Sequence, residues 1–275
     1  MMVLGVDFTS RPGRKKPITC LSCVLNDGAL HAYQMKEWHS FNEFENALRT
    51  AGPWIAGIDF PFGQARKFIE NIGWPPLWSD YVNHVQNLGR KGLCLSLDSY
   101  RSTRPFGDRE HRRKTDVAAG SISPQKLYGV PVGMMFFEGA WRLIEAQVKI
   151  PGLQLGAEDR IVVEAYPGII ARKLIGRQSY KNDRKNKQTT DQRAARYSVL
   201  SQITAGKLVE EYGFRVEVSL PLADDPTGDQ LDALLCAMQA AWSWTQRRNR
   251  FGVPLDCDHS EGWIADPALF SGATA

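Results

Sequence analysis

Three stretches of this chain follow one rule: an apolar run suited to a β-strand ends on a single carboxylate. They are Met2-Val3-Leu4-Gly5-Val6-Asp7, Trp54-Ile55-Ala56-Gly57-Ile58-Asp59 and Arg160-Ile161-Val162-Val163-Glu164. β-Branched Val and Ile in these runs suit a pleated, half-buried backbone. Thr9-Ser10, Pro61 and Pro167 follow them; a proline has no N–H for the strand ladder. One such Asp reads as a turn former, but repetition constrains the fold. A carboxylate beside apolar residues is expensive to desolvate unless a cation or several donors reach it. In open α/β sheets, ligands bind outside the carboxyl ends of parallel strands. If these strands run parallel, Asp7, Asp59 and Glu164 share one edge. Their mutual repulsion then calls for cations, and oxygen ligands suit Mg2+ or Mn2+.

A fourth acidic element completes the pattern. Gly228 to Trp242 reads as a helix, with Asp225 or Thr227 as its cap and Leu231, Leu234, Leu235, Met238 and Trp242 on its core face. Asp229 and Asp232 lie three apart on one neighbouring face. Alone, they would be first-turn acids favoured by the helix dipole. Beside three strand-end acids they join the candidate metal ligands.

The order of elements points to topology. Ile18 to Leu25 and Ala29 to Trp38 read as strands, linked by Asn26-Asp27-Gly28, a strong hairpin signal. Ser40 caps a helix from Phe41 to Thr50, Gly52-Pro53 stops it, and the Asp59 strand follows. The expected fold is α/β: a ribonuclease H-like mixed sheet, with a three-strand antiparallel meander, a crossover helix and parallel strands, flanked by helices. A single domain over residues 1–275 carries a large helical insertion at about 64–159. Helices are expected from Trp74 to Asn87, within Pro131 to Ala146, from Ala165 to Gly176 and from Ala194 to Tyr212, with a last strand from Phe214 to Leu220.

The net charge is only +4, so the protein is not a polycation, but its basic residues are clustered. Arg101, Arg104, Arg109, Arg112, Arg113 and Lys114 fall within the insertion; Lys181, Arg184, Lys185, Lys187, Arg193 and Arg196 follow the Glu164 strand. A basic run is usually a solvated face. Between acid-bearing strands, it suits a polyphosphate backbone around a metal-filled centre. Arg104, Arg109, Arg112, Arg113, Lys181 and Lys185 are the candidate nucleic-acid contacts. Five cysteines show no disulfide framework, and no signal peptide or membrane-length apolar run is evident, so a cytoplasmic protein is expected. Cys20 and Cys23 lie three apart on one strand and point to opposite faces, which rules out shared zinc ligation. Cys257-Asp258-His259 reads as a loop.

These residues resemble a known family. Gly5-Val6-Asp7-Phe8-Thr9-Ser10, Ile58-Asp59-Phe60-Pro61-Phe62-Gly63, Glu164-Ala165-Tyr166-Pro167 and Leu231-Asp232-Ala233-Leu234 look like motifs of the domain-of-unknown-function family 429, as does Arg109 through Asp116. The resemblance spans nearly the whole chain and implies a ribonuclease H-like fold and a nucleolytic activity. Asp229-x-x-Asp232 also resembles the last helix of RuvC-type junction resolvases. There Asp59 replaces a usual glutamate and Glu164 is an extra acid, which leaves open which four acids ligate.

The leading expectation is hydrolysis of phosphodiester bonds in DNA or RNA by two divalent ions about 4 Å apart, with Asp7 bridging and Asp59, Glu164 and Asp232 catalytic. Asp229 joins them as a metal ligand. The alternatives are a phosphotransferase of the actin and sugar-kinase type, which Gly5-Val6-Asp7-x-Thr9-Ser10 faintly resembles, and an inert nucleic-acid-binding module. Retained acids argue against the latter, because a phosphate-binding surface would not keep unneutralised carboxylates.

Overall fold

The computed structural model describes residues 1–270. The first strand, β1 (Met2–Asp7), is followed by β2 (Ile18–Asn26) and β3 (Ala29–Trp38), then helix α1 (Phe41–Arg49) and β4 (Trp54–Ile58). Helices α2 (Arg66–Ile72), α3 (Trp78–Ser102), α4 (Lys114–Ala119) and α5 (Val132–Glu145) lie between β4 and the short strand β5 (Val148–Lys149). The chain continues through β6 (Ala157–Glu164), α6 (Gly168–Ile175), α7 (Thr190–Thr204), α8 (Val209–Tyr212), β7 (Arg215–Val218) and α9 (Asp229–Thr245). The strands form one mixed sheet in the order β5-β6-β4-β1-β2-β3-β7. β2 is antiparallel to both β1 and β3, whereas β1, β4 and β6 run parallel side by side.

Both faces of the sheet are covered. On one, Val6, Ile18, Cys20, Ala56, Ile58 and Val162 pack with Phe44 of α1, Tyr81 of α3 and Phe136 of α5. On the other, Val3, Leu21, Cys23, Ile55, Ile161 and Val163 pack with Ile170 of α6, Val199 of α7 and the leucines of α9. Cys20 and Cys23 thus face opposite ways.

Local chemistry sets several boundaries that differ from the sequence reading. Pro75 and Pro76 delay the third helix to Trp78, because the residue before a proline is pushed out of the helical region, and Leu77 is its N-cap. That helix then runs on to Ser102 across a kink at Gly89 (φ 69°, ψ 170°). The helix expected from Ala194 starts at Thr190, because Thr189 and Gln192 form a capping box, and the chain breaks again before Val209 around Gly206.

One packing relationship positions the site. A Cβ on Gly5 would stand 1.8 Å from the Ala233 carbonyl oxygen, and one on Gly57 would stand 2.3 Å from that of Cys236. Only glycine lets α9 come this close to β1 and β4. The face it lays on the sheet is made of small residues, with Ala237 against Gly5 and Ala240 against Gly57. Leu231, Leu234 and Leu235 are fully buried in the same core, as expected of the helix's core face, while the small residues make the closest approach to the strands. Asp229 and Asp232 precede Ala233 on the small-residue side at helical spacing.

Candidate acidic site at the strand ends

Strand register decides which acids meet. Val6, Ile58 and Glu164 are aligned across β1, β4 and β6. Asp7 and Asp59 lie one residue beyond, and the Asp59 amide donates to the Val6 carbonyl at 3.0 Å. Side chains alternate faces along a strand. Asp7 and Asp59 therefore share the face of Gly5 and Gly57, the face of α9. The N-terminal turn of α9 brings Asp229 and Asp232 to the same end. All four carboxylates interact: Asp229, Asp232 and Asp59 each raise the pKa of Asp7.

Two lysines enter this group. Lys16 sits in the turn between β1 and β2, and its Nζ donates to Asp229 Oδ1 and to Asp183 Oδ1, both at 2.9 Å. Lys181 follows α6 and its Nζ bonds Asp232 Oδ2, while the Tyr180 hydroxyl donates to Asp232 Oδ1 at 2.5 Å. Gly228 allows this contact: it takes φ 78°, and a Cβ there would lie 2.8 Å from the Lys181 Cβ. Gly228 also occupies the N-cap expected for Asp225 or Thr227. Asp225 nonetheless accepts from the amides of Thr227 and Gln230 at 2.9 and 3.1 Å.

The electrostatics follow from burial and crowding. Burial, then the Asp229 charge, push Asp7 well above the usual carboxylate range, against an opposing pull from Lys181. Burial and Asp232 push Asp59 up to about 7. Burial would lower Lys16 and Lys181, but Asp229 and Asp7 raise Lys16, and Asp232 and Tyr180 raise Lys181. Among the described residues, no donor bonds the carboxylate of Asp7 or Asp59, although those of Asp229 and Asp232 are paired. Asp7, Asp59, Lys16 and Lys181 line a cavity of about 440 Å³.

Glu164, expected among the metal ligands, is elsewhere. Being in register with Ile58 rather than Asp59, it falls one residue short, and the alternation turns it to the opposite face. There its Oε2 accepts from Arg113 at 2.7 Å and from the Phe62 amide at 2.9 Å, and its Oε1 accepts from Arg113 at 2.5 Å. Arg113, expected to grip phosphate, is only 1% exposed and also bonds both oxygens of Asp116. A buried guanidinium shared by two carboxylates is a structural ion pair. Glu164 still lies near Asp59, whose pKa it raises.

The other basic candidates separate. Lys181 is inside the acidic group rather than on a rim. Arg104 pairs with Asp108 at 2.7 Å, Arg109 Nε donates to the Arg104 carbonyl at 3.1 Å, and Arg112 and Lys185 are exposed. None of these four lines the cavities at Asp7 and Asp59. Lys16 and Tyr180 were not anticipated. The basic run Arg14-Lys15-Lys16, directly after the Asp7 strand, was the signal for the first.

Four carboxylates offer the hard oxygen donors that Mg2+ or Mn2+ prefers, and the two without protein donors are the ones a cation would satisfy. As the side chains stand, no three His, Cys, Asp or Glu among the described residues form a ready ligand set; the ammonium groups of Lys16 and Lys181 supply the neutralising charge. No helix among the described residues is long and apolar enough to cross a membrane. A family model described as "Protein of unknown function (DUF429)" matches residues 5–254. No curated protein and no solved structure matches the chain.

Proposed function

This chain belongs to the DUF429 family, and we propose that it is a divalent-cation-dependent hydrolase of phosphodiester bonds in nucleic acid, built on a ribonuclease H-like sheet. The strand order supports the fold reading: a meander β3-β2-β1 continues through parallel β4 and β6. One observation carries the activity. Asp7 and Asp59, from adjacent parallel strands, face a cavity with no donor on either carboxylate, beside Asp229 and Asp232. Asp7 is buried and Asp59 half-buried, and carboxylates crowded together at a cavity without protein donors repel one another unless a cation neutralises them, so the arrangement fits a cation better than it fits a purely structural role.

Asp7, Asp59 and Asp232 would hold Mg2+ or Mn2+, with Asp229 beside them. Such an ion supplies polarisation of the phosphoryl oxygen and an acidified water. Lys16 and Lys181 neutralise Asp229 and Asp232 without it. With the ion bound, their ammonium groups become free to bind phosphate oxygens, positioning the strand without reading its bases.

The test is cleavage of fluorescent single-stranded DNA and RNA oligonucleotides with Mg2+, Mn2+ or EDTA. Cleavage that needs the metal and falls to the EDTA background in both Asp7→Asn and Asp232→Asn supports the reading. Cleavage that survives EDTA, or absence of cleavage on every substrate, overturns it.

A further inference from the structure

A second cavity, about 240 Å³, adjoins the acidic one and shares Asp59, Val130 and Met135 with it. Its walls are apolar: Pro61, Ile122, Val130, Val132, Met135 and the Tyr166 ring. Ile122 and Val130 are 45% and 58% exposed, so the cavity opens to solvent. Its polar margin is already engaged. Arg113 bonds Asp116 and Glu164, and the Ser121 hydroxyl donates to Asp116 at 2.8 Å. Asp59 is the polar group left without a donor, and it stands where the two cavities meet.

We propose that this pocket takes one unpaired nucleobase of the substrate strand, whose phosphate lies at Asp7 and Asp59; the inference rests on the phosphodiester reading above and names its substrate class. Three features lead here. The volume is below the roughly 300–1,000 Å³ of drug-sized sites, which suits a small planar group such as one base. Apolar walls suit the π-face of any base. The shared Asp59 sets the pocket within one nucleotide of the cation site. A base inside a duplex is stacked and paired and cannot enter without being extruded. The substrate is therefore single-stranded nucleic acid or an unpaired end. With its polar margin engaged internally, the pocket has few groups to read base edges, so base identity matters little.

The experiment measures binding of adenosine 5′-monophosphate, cytidine 5′-monophosphate and ribose 5-phosphate by calorimetry in Mg2+, to wild type, Val132→Trp and Ile122→Glu, two positions that line this pocket and not the acidic cavity. Neither nucleotide carries a diester to cleave. The expected result is that both nucleotides bind wild type within about threefold of each other, and at least tenfold tighter than ribose 5-phosphate. Both variants should erase that tenfold preference while still binding ribose 5-phosphate. Ile122 is exposed, so its variant decides the question should Val132→Trp fail to fold. Equal affinity for nucleotide and ribose 5-phosphate in wild type, or a preference that survives both variants, overturns the pocket. Oligonucleotide cleavage measured alongside separates the two claims. Pocket-dependent nucleotide binding without cleavage removes the hydrolase alone. Cleavage of blunt duplex as fast as single strand removes the pocket alone.

Discussion

Gly5 lies so close to Ala233 that a Cβ on it would stand 1.8 Å from the Ala233 carbonyl oxygen. The obstacle is helix backbone, which cannot rotate away as a side chain can. Gly5→Ala should therefore lift the start of α9 from β1 and carry Asp232 away from Asp7. Overpacking of this kind destabilises by about 1–3 kcal/mol, occasionally more. Urea unfolding should register that loss, and the variant should lose any stabilisation by Mn2+. An unchanged midpoint together with an unchanged Mn2+ response would mean that the helix does not rest on this glycine.

Arg113 carries a prediction of the opposite kind. Its guanidinium is buried between Asp116 and Glu164. Removing it leaves two uncompensated carboxylates, and breaking a buried pair costs about 3–5 kcal/mol. Arg113→Met should be destabilised by that order in denaturant, and adding Glu164→Gln should restore part of it. Were Arg113 a phosphate contact, Arg113→Met would instead keep its stability and lose affinity for nucleic acid.

The metal-free protein should also have a distinctive pH response. Asp59 is pushed up to about 7 by burial and Asp232, from an ordinary value of 3.8. Between those values the folded state holds a proton that the unfolded state has released. Stability from this group therefore falls as pH rises from about 4 to 7, and is flat above. In EDTA, wild type minus Asp59→Asn should show this decline, a few kcal/mol at most. A difference that rises with pH over the same window would mean that Asp59 is paired with a cation from the protein.

Lys181 neutralises Asp232 when no metal is present. Lys181→Met should lower the melting temperature in EDTA and increase the rise produced by Mn2+ relative to wild type. The pair is half-buried, so the loss should be smaller than for Arg113, on the order of 1–3 kcal/mol. A smaller Mn2+ shift than wild type would show that the lysine assists the cation rather than standing in for it.

The strands and the meander were legible because period and turn chemistry are local. The strand-end rule put Asp7 and Asp59 side by side for the same reason. It did not foresee the face of Glu164 because register is a property of pairing: Glu164 opposite Ile58 rather than Asp59 turns the carboxylate to the other face, and no strand announces this alone. Arg113 looked like one more member of a basic run, and its burial depends on Asp116 and Glu164 reaching it from two elements. The small face of α9 was written in Ala233, Cys236, Ala237 and Ala240 beside Gly5 and Gly57, but its meaning needed the helix laid on the sheet. Lys16 is distant from Asp229 in sequence, and only the fold joins them.

The central claim is that a divalent cation binds where Asp7 and Asp59 lack donors. A crystal soaked in Mn2+ and measured by anomalous scattering at the manganese edge tests this most directly. The account predicts an anomalous peak in contact with Asp7 and Asp59, with the ammonium group of Lys181 moved off Asp232, and no such peak in a crystal of Asp7→Asn. Manganese bound elsewhere on the molecule, with this cavity empty and both lysines still on their aspartates, would contradict it.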